Sequence, residues 1–88
     1  MSQKAIVKLY KKNPCPFCDR AINFFNSRGV VFETIDLTNN PEGLQAIKDQ
    51  WGWKTVPIIV INDQLIGGYN DLKALDEEGG FAPLLEKG

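Results

Sequence analysis

The sequence predicts an α/β fold, a four-stranded mixed sheet flanked by helices on both faces. Three observations carry that expectation. Short segments rich in β-formers alternate with segments of helical periodicity. Two of the helical segments open on a proline and close at a glycine. A run of β-branched residues is followed by a two-residue turn signal and another short strand. With 88 residues the chain suffices for a single domain, 1–88, burying about 60–65% of its unfolded surface.

Taken in order, residues 4–10 read as the first strand, bounded by Lys11-Lys12-Asn13-Pro14. A helix is predicted over 16–28. Pro16 suits its first position, Gly29 lies just past its end, and Cys18, Ala21, Ile22 and Phe25 form one apolar stripe. Residues 30–37 read as a second strand. Asn40-Pro41 starts a helix over 41–51 that carries Leu44, Ile47 and Trp51 inward and stops at Gly52. Ile58 to Ile61 fit a central strand, covered on both faces. Asn62-Asp63 turns the chain into a strand at 64–66, and Gly67-Gly68 ends it. A third helix is expected over 70–78, and a last turn at 81–87 carries Phe81, Leu84 and Leu85. A βαβ unit crosses over right-handed, so strands one and two are parallel, and the later hairpin is antiparallel within itself. That order is the thioredoxin-type architecture.

Charge and composition exclude several classes of function. Ten basic and eleven acidic residues give a formal charge of −1, so no nucleic acid is expected as partner. No histidine is present, which removes imidazole bases and histidine-built zinc sites within one chain. The longest apolar run, Val56 to Ile61, is too short for a membrane span, and the N-terminus reads as a strand rather than a leader. A cytoplasmic monomer is the expectation.

Both cysteines stand in Cys15-Pro16-Phe17-Cys18, and two thiols do not complete a four-ligand metal site. No metal is expected. Placed after a strand and opening a helix, the motif points to redox exchange. The attacking species in such exchange is a thiolate, and a helix N-terminus favours it through unpaired N–H groups and the positive end of the dipole. Cys15, at the first turn, is the expected nucleophile. Cys18, one turn inside on the apolar stripe, is the resolving thiol. Lys11, Lys12 and Arg20 add positive charge nearby, with Lys12 best placed to face the sulfur.

Two further segments allow more than one reading. Thr55-Val56-Pro57 heads a strand. A cis Val56–Pro57 bond would present the Val56 backbone to a bound peptide, but a trans proline marking a strand edge is the commoner case. Gly67-Gly68-Tyr69-Asn70-Asp71 leads into a helix N-terminus that suits a carboxylate, yet a tight turn plus a helix cap accounts for the same residues. Phe17 is expected to face outward as a groove wall, Trp51 to be core, and Trp53 to cap the second helix or border the groove.

Together, Tyr10-Lys11-Lys12, the Cys15–Cys18 motif, Thr55-Val56-Pro57, Ile66-Gly67-Gly68 and Asp71-Leu72 resemble the dithiol glutaredoxins, in particular the compact bacterial type. The resemblance spans nearly the whole chain. It implies the thioredoxin fold, a cis Pro57, and glutathione as co-substrate. On the family pattern Lys12 and Thr55–Val56 hold the tripeptide, the Val56 backbone pairs with its cysteine, and Pro57 and Gly68 border it. Asn70 and Asp71 take its γ-glutamyl end, and Phe17 walls the groove. The implied partners are glutathione and disulfide-bearing or glutathionylated client proteins, ribonucleotide reductase among them. NADPH supplies the electrons through glutathione reductase. This sequence departs from the pattern at Phe17, where tyrosine is usual. It departs again at Tyr69 and Asn70, and at the bulky Trp53. Two rival readings are an electron donor served by thioredoxin reductase and a two-chain iron–sulfur carrier; Pro16 argues against the second.

Overall fold

The computed structural model describes residues 3–87; Met1, Ser2 and Gly88 of the expected 1–88 domain lie outside the described residues. The chain runs β1 (Val7–Lys11), α1 (Pro16–Ser27), β2 (Glu33–Asp36), α2 (Pro41–Trp51), β3 (Ile58–Ile61), β4 (Gln64–Gly67), α3 (Tyr69–Glu77) and α4 (Phe81–Glu86). The four strands form one sheet in the order β2-β1-β3-β4. β1 pairs parallel with β2, while β1–β3 and β3–β4 are antiparallel. The mixed sheet predicted from element order is the one observed.

Strand alternation divides the core between the two faces of the sheet. Val7, Leu9, Ile59 and Ile61 pack with Ala21 and Phe25 of α1, Leu72 of α3 and Phe81 of α4. Phe25 sits at the centre, 5.0 Å from the Phe32 ring and 6.1 Å from Phe81. Ile58 and Val60 alternate to the other face and are buried, as is Leu44, the buried residue of α2. Each fully buried large side chain contributes about 1.5–3 kcal/mol. The hairpin turn is type I′, since Asn62 (φ 53°) and Asp63 (φ 60°) both adopt positive φ.

Two strands are shorter than the sequence suggests, and side chains or loops take over their hydrogen bonds. β1 starts at Val7 rather than Lys4, because the Lys4 and Ala5 N–H groups both donate to the Leu85 carbonyl at 3.0 Å. β2 starts at Glu33 rather than Val30. The Val30 N–H donates to the Phe25 carbonyl (2.9 Å) and so closes α1. The Gln3 amide then clasps Val31, accepting from its N–H at 2.9 Å and donating to its carbonyl at 2.7 Å. Trp51 is half-buried rather than fully core, and its indole N–H has no partner among the described residues.

Candidate active site

α1 begins where β1 leaves the sheet, and Cys15 is its N-cap with extended backbone (φ −154°, ψ 93°). Its carbonyl accepts the first helical bond, from the Asp19 N–H at 3.1 Å. Its Sγ accepts from the Cys18 N–H, also at 3.1 Å. A sulfur thus occupies the place where a serine or asparagine oxygen normally satisfies a free helix donor. Pro16 at the first helical position gives up no N–H that the helix needs. Cys15 and Cys18 are joined as a disulfide, with Cα atoms 5.2 Å apart. Both are buried, Cys18 fully and Cys15 with 8% exposure, so Cys15 is the more accessible of the two.

Beside the sulfurs lies a groove of about 300 Å³. Thr55, Val56 and Pro57 line it ahead of β3, Gly68 to Asp71 line it at the start of α3, and Phe17 and Trp53 border it. Cys15 Sγ lies 3.7 Å from the Val56 carbonyl oxygen. The Val56–Pro57 bond is cis, which corrects the trans expectation drawn from the residues alone and agrees with the family resemblance. Asn13–Pro14 is also cis, a feature for which the sequence carried no signal.

The start of α3 is held by its own carboxylate. The Gly68 N–H donates to Asp71 Oδ2 at 3.0 Å. Gly67 has φ +118°, and a Cβ there would fall 2.6 Å from that same oxygen. Glycine at 67 is therefore required both by backbone conformation and by space. One Asp71 oxygen serves the cap, so both the cap reading and the ligand reading of this residue remain available through its two oxygens.

Of the residues singled out in the sequence, Phe17, Thr55, Val56, Pro57, Gly68, Asn70 and Asp71 converge on this groove. Lys12 is exposed and does not line it. Trp53 borders the groove, while its backbone N–H donates to the Lys48 carbonyl at 3.0 Å; both placements considered for it hold. Tyr69 is a lining residue that sequence reasoning did not assign. Its ring stacks with Phe17 at 6.3 Å, and the Arg20 guanidinium lies 5.1 Å from the Phe17 centroid. Phe17, at 45% exposure, is the outward aromatic that was expected. The contact joins α1 to α3, elements far apart in the chain, so no local pattern signals it.

Two sulfurs one helical turn apart, able to form and break one disulfide, exchange two electrons and two protons with a partner. On this sheet they define a thiol–disulfide oxidoreductase of the thioredoxin fold. Comparison with known proteins narrows the class. The family profile described as Glutaredoxin matches residues 7–66. Glutaredoxin 3 of Escherichia coli strain K12 is 42% identical over 82 residues, covering 93% of this chain and 99% of that relative. A crystal structure of a wheat glutaredoxin superposes with a TM-score of 0.84 at 34% identity, covering 98% of this chain and 85% of that one. A buckwheat glutaredoxin–glutathione complex does so with a TM-score of 0.84 at 26% identity, covering 94% and 78%. The chain belongs to the glutaredoxin family, whose members are thiol–disulfide oxidoreductases.

Proposed function

We propose that the protein reduces glutathione mixed disulfides and protein disulfides with glutathione as reductant. The observation that carries this reading is the Cys15 sulfur at the cap of α1, 3.7 Å from the Val56 carbonyl, beside a groove near the lower size limit for ligand pockets, which suits a tripeptide. The Cys15 thiolate attacks the glutathionyl sulfur of a mixed disulfide. A Cys15–glutathione disulfide forms, and the client leaves as a thiolate that takes up a proton. A second glutathione thiolate then attacks the glutathione sulfur on Cys15, releasing glutathione disulfide and restoring the Cys15 thiolate. With a protein disulfide, Cys15 first forms a mixed disulfide with the client. Cys18 attacks Cys15, the client leaves as a dithiol, and two glutathiones reduce the Cys15–Cys18 disulfide.

Thr55, Val56 and Pro57 form one wall for the tripeptide and Phe17 the other. The Val56 backbone pairs with its cysteine. Gly68, Asn70 and the second Asp71 oxygen take the γ-glutamyl end, while Lys12 helps Thr55 and Val56 hold the tripeptide from outside the groove. Glutathionylated proteins and disulfide-bearing enzymes such as a ribonucleotide reductase are the proposed clients. Glutathione reductase and NADPH close the cycle, and a reducing cytoplasm is the proposed setting. No helix among the described residues is long and apolar enough to cross a membrane.

The test is NADPH-coupled turnover of a glutathione mixed disulfide, with glutathione and glutathione reductase present. Wild type and Cys18→Ser are expected to turn over, and Cys15→Ser to be inactive. A wild type that is inactive with glutathione yet reduced by thioredoxin reductase would overturn the glutathione reading.

A further inference from the structure

The loop that delivers Cys15 is fastened to the far end of the neighbouring strand, and one hydroxyl joins the two. β1 and β2 run in register up to Lys11 and Asp36, and the Leu37 N–H extends the ladder by donating to the Lys11 carbonyl at 2.8 Å. Past that point the ladder stops and side chains continue it. The Asn13 N–H donates to Thr38 Oγ1 at 2.9 Å. The Thr38 hydroxyl donates in turn to Asp36 Oδ1, which also accepts the Thr38 N–H at 2.9 Å. The Asn13 side-chain amide reaches Asp36 Oδ2 at 3.4 Å. These bonds to Thr38 hold the Asp36 carboxyl below its ordinary value, with the charge of Lys11 adding to them.

A threonine hydroxyl has one hydrogen to give and lone pairs to receive. Here Asp36 takes the hydrogen, which orients the lone pairs toward the Asn13 N–H. Pro14 has no N–H, so the loop between β1 and the helix cap offers few other points of attachment. On its other side Cys15 is fixed by the bonds from Asp19 and Cys18. The cap geometry at sulfur depends on both anchors.

We propose that Thr38, oriented by Asp36, is a positioning residue for the Cys15 nucleophile. It clamps the Asn13–Pro14 loop so that the Cys15 sulfur stays aimed at the Cys18 N–H. Neither residue touches the groove, and their action passes through Asn13. The proposal rests on the reading of Cys15 as the attacking thiol, so its test reports which sulfur reacts.

The reduced protein is treated with iodoacetamide at neutral pH. The rate of alkylation is followed, the labelled cysteine is identified by mass spectrometry, and the thermal midpoint is recorded for each variant. Thr38→Val removes the hydroxyl at nearly constant shape and is expected to slow Cys15 alkylation about 3- to 10-fold. Thr38→Ser restores the hydroxyl and is expected to return the rate to within about twofold of wild type. Asn13→Ala keeps the backbone N–H and is expected to stay near wild type. If Thr38→Val does not fold, Asp36→Ala, which removes the acceptor of the Thr38 hydroxyl, carries the test, with slowed alkylation expected. A wild-type rate in Thr38→Val, or in Asp36→Ala when it serves in its place, overturns the proposal. So does a Thr38→Ser as slow as Thr38→Val. Label found on Cys18 instead of Cys15 in the wild type overturns the reading of Cys15 itself.

Discussion

The first turns of α1 and α2 are built alike, yet one carries the chemistry and the other only ends a loop. Each has proline at its first position and a non-helical cap residue before it, Cys15 at φ −154° and Asn40 at φ −136°. Each cap carbonyl accepts from the residue four on, Asp19 at 3.1 Å and Leu44 at 3.0 Å. Each cap side chain accepts from the residue three on, Sγ from Cys18 at 3.1 Å and Oδ1 from Gly43 at 3.0 Å. The same free N–H groups and the same dipole serve both ends. At α2 they satisfy an amide oxygen on an exposed surface. At α1 they act on a sulfur that lies 3.7 Å from the Val56 carbonyl at the groove and has a second sulfur one turn below. The local backbone supplies a site for negative charge, and the atom placed on the cap decides whether that site is structural or reactive.

The comparison breaks most visibly at its sulfur. Cys15→Ser is expected to lower turnover of a glutathione mixed disulfide by about 10³-fold or more, since serine supplies no thiolate. Serine is also a good cap, so the thermal midpoint should stay within a few degrees of the reduced wild type. A variant that loses both activity and fold would show that the sulfur is needed for structure, as the cap oxygen of its counterpart at α2 is.

A second break lies at the third helix start that borders the groove. Gly67→Ala puts a Cβ where the Asp71 carboxylate sits and demands a φ that alanine avoids. Its cost is about 1–3 kcal/mol, read as a lower urea midpoint, with a raised KM for glutathione as Asp71 shifts. An unchanged midpoint would show that Asp71 does not hold this cap.

The structural member of the pair is tested by Asn40→Ala. Loss of the cap bond should cost about 1 kcal/mol of stability and leave turnover unchanged, as read by urea unfolding beside the coupled assay. A loss of turnover there would blur the division between the two helix starts.

The smallest effect belongs to a contact remote from both. Arg28 forms a two-pronged salt bridge with Asp76, at 2.7 Å on each oxygen. Hydrogen bonding to Arg28 lowers the Asp76 carboxyl from its ordinary value of 3.8. A depressed folded value means a contribution present above about pH 4 that is lost as the pH falls through the folded value. The pair is exposed, so Asp76→Asn should lower the neutral-pH midpoint only slightly. The gap from wild type should close in acid, and a gap of constant size across that range would contradict the assignment.

Both helix starts were legible in the sequence because their signals are local. Cap, proline and terminal glycine lie within one element, and so does the apolar stripe of Cys18, Ala21 and Phe25. The hairpin at Asn62-Asp63 was legible for the same reason. What stayed hidden depends on residues far apart in the chain. The Phe17–Tyr69 stack joins two helices whose separation only the packed sheet determines. The Asn13–Thr38 bond joins two loops that read separately as polar connections. The late starts of β1 and β2 were not readable because Gln3 and Leu85 supply the hydrogen-bond partners that a longer ladder would have used. Of the site, the residue types were readable, whereas the arrangement around Trp53 and Tyr69 needed the fold.

If the helix cap favours the Cys15 thiolate, an ultraviolet thiolate titration of reduced Cys18→Ser, which keeps the backbone N–H at position 18 while leaving Cys15 as the single thiol, gives a Cys15 value clearly below the ordinary cysteine value of about 8.5. A value at or above it would show that the cap does not activate the sulfur.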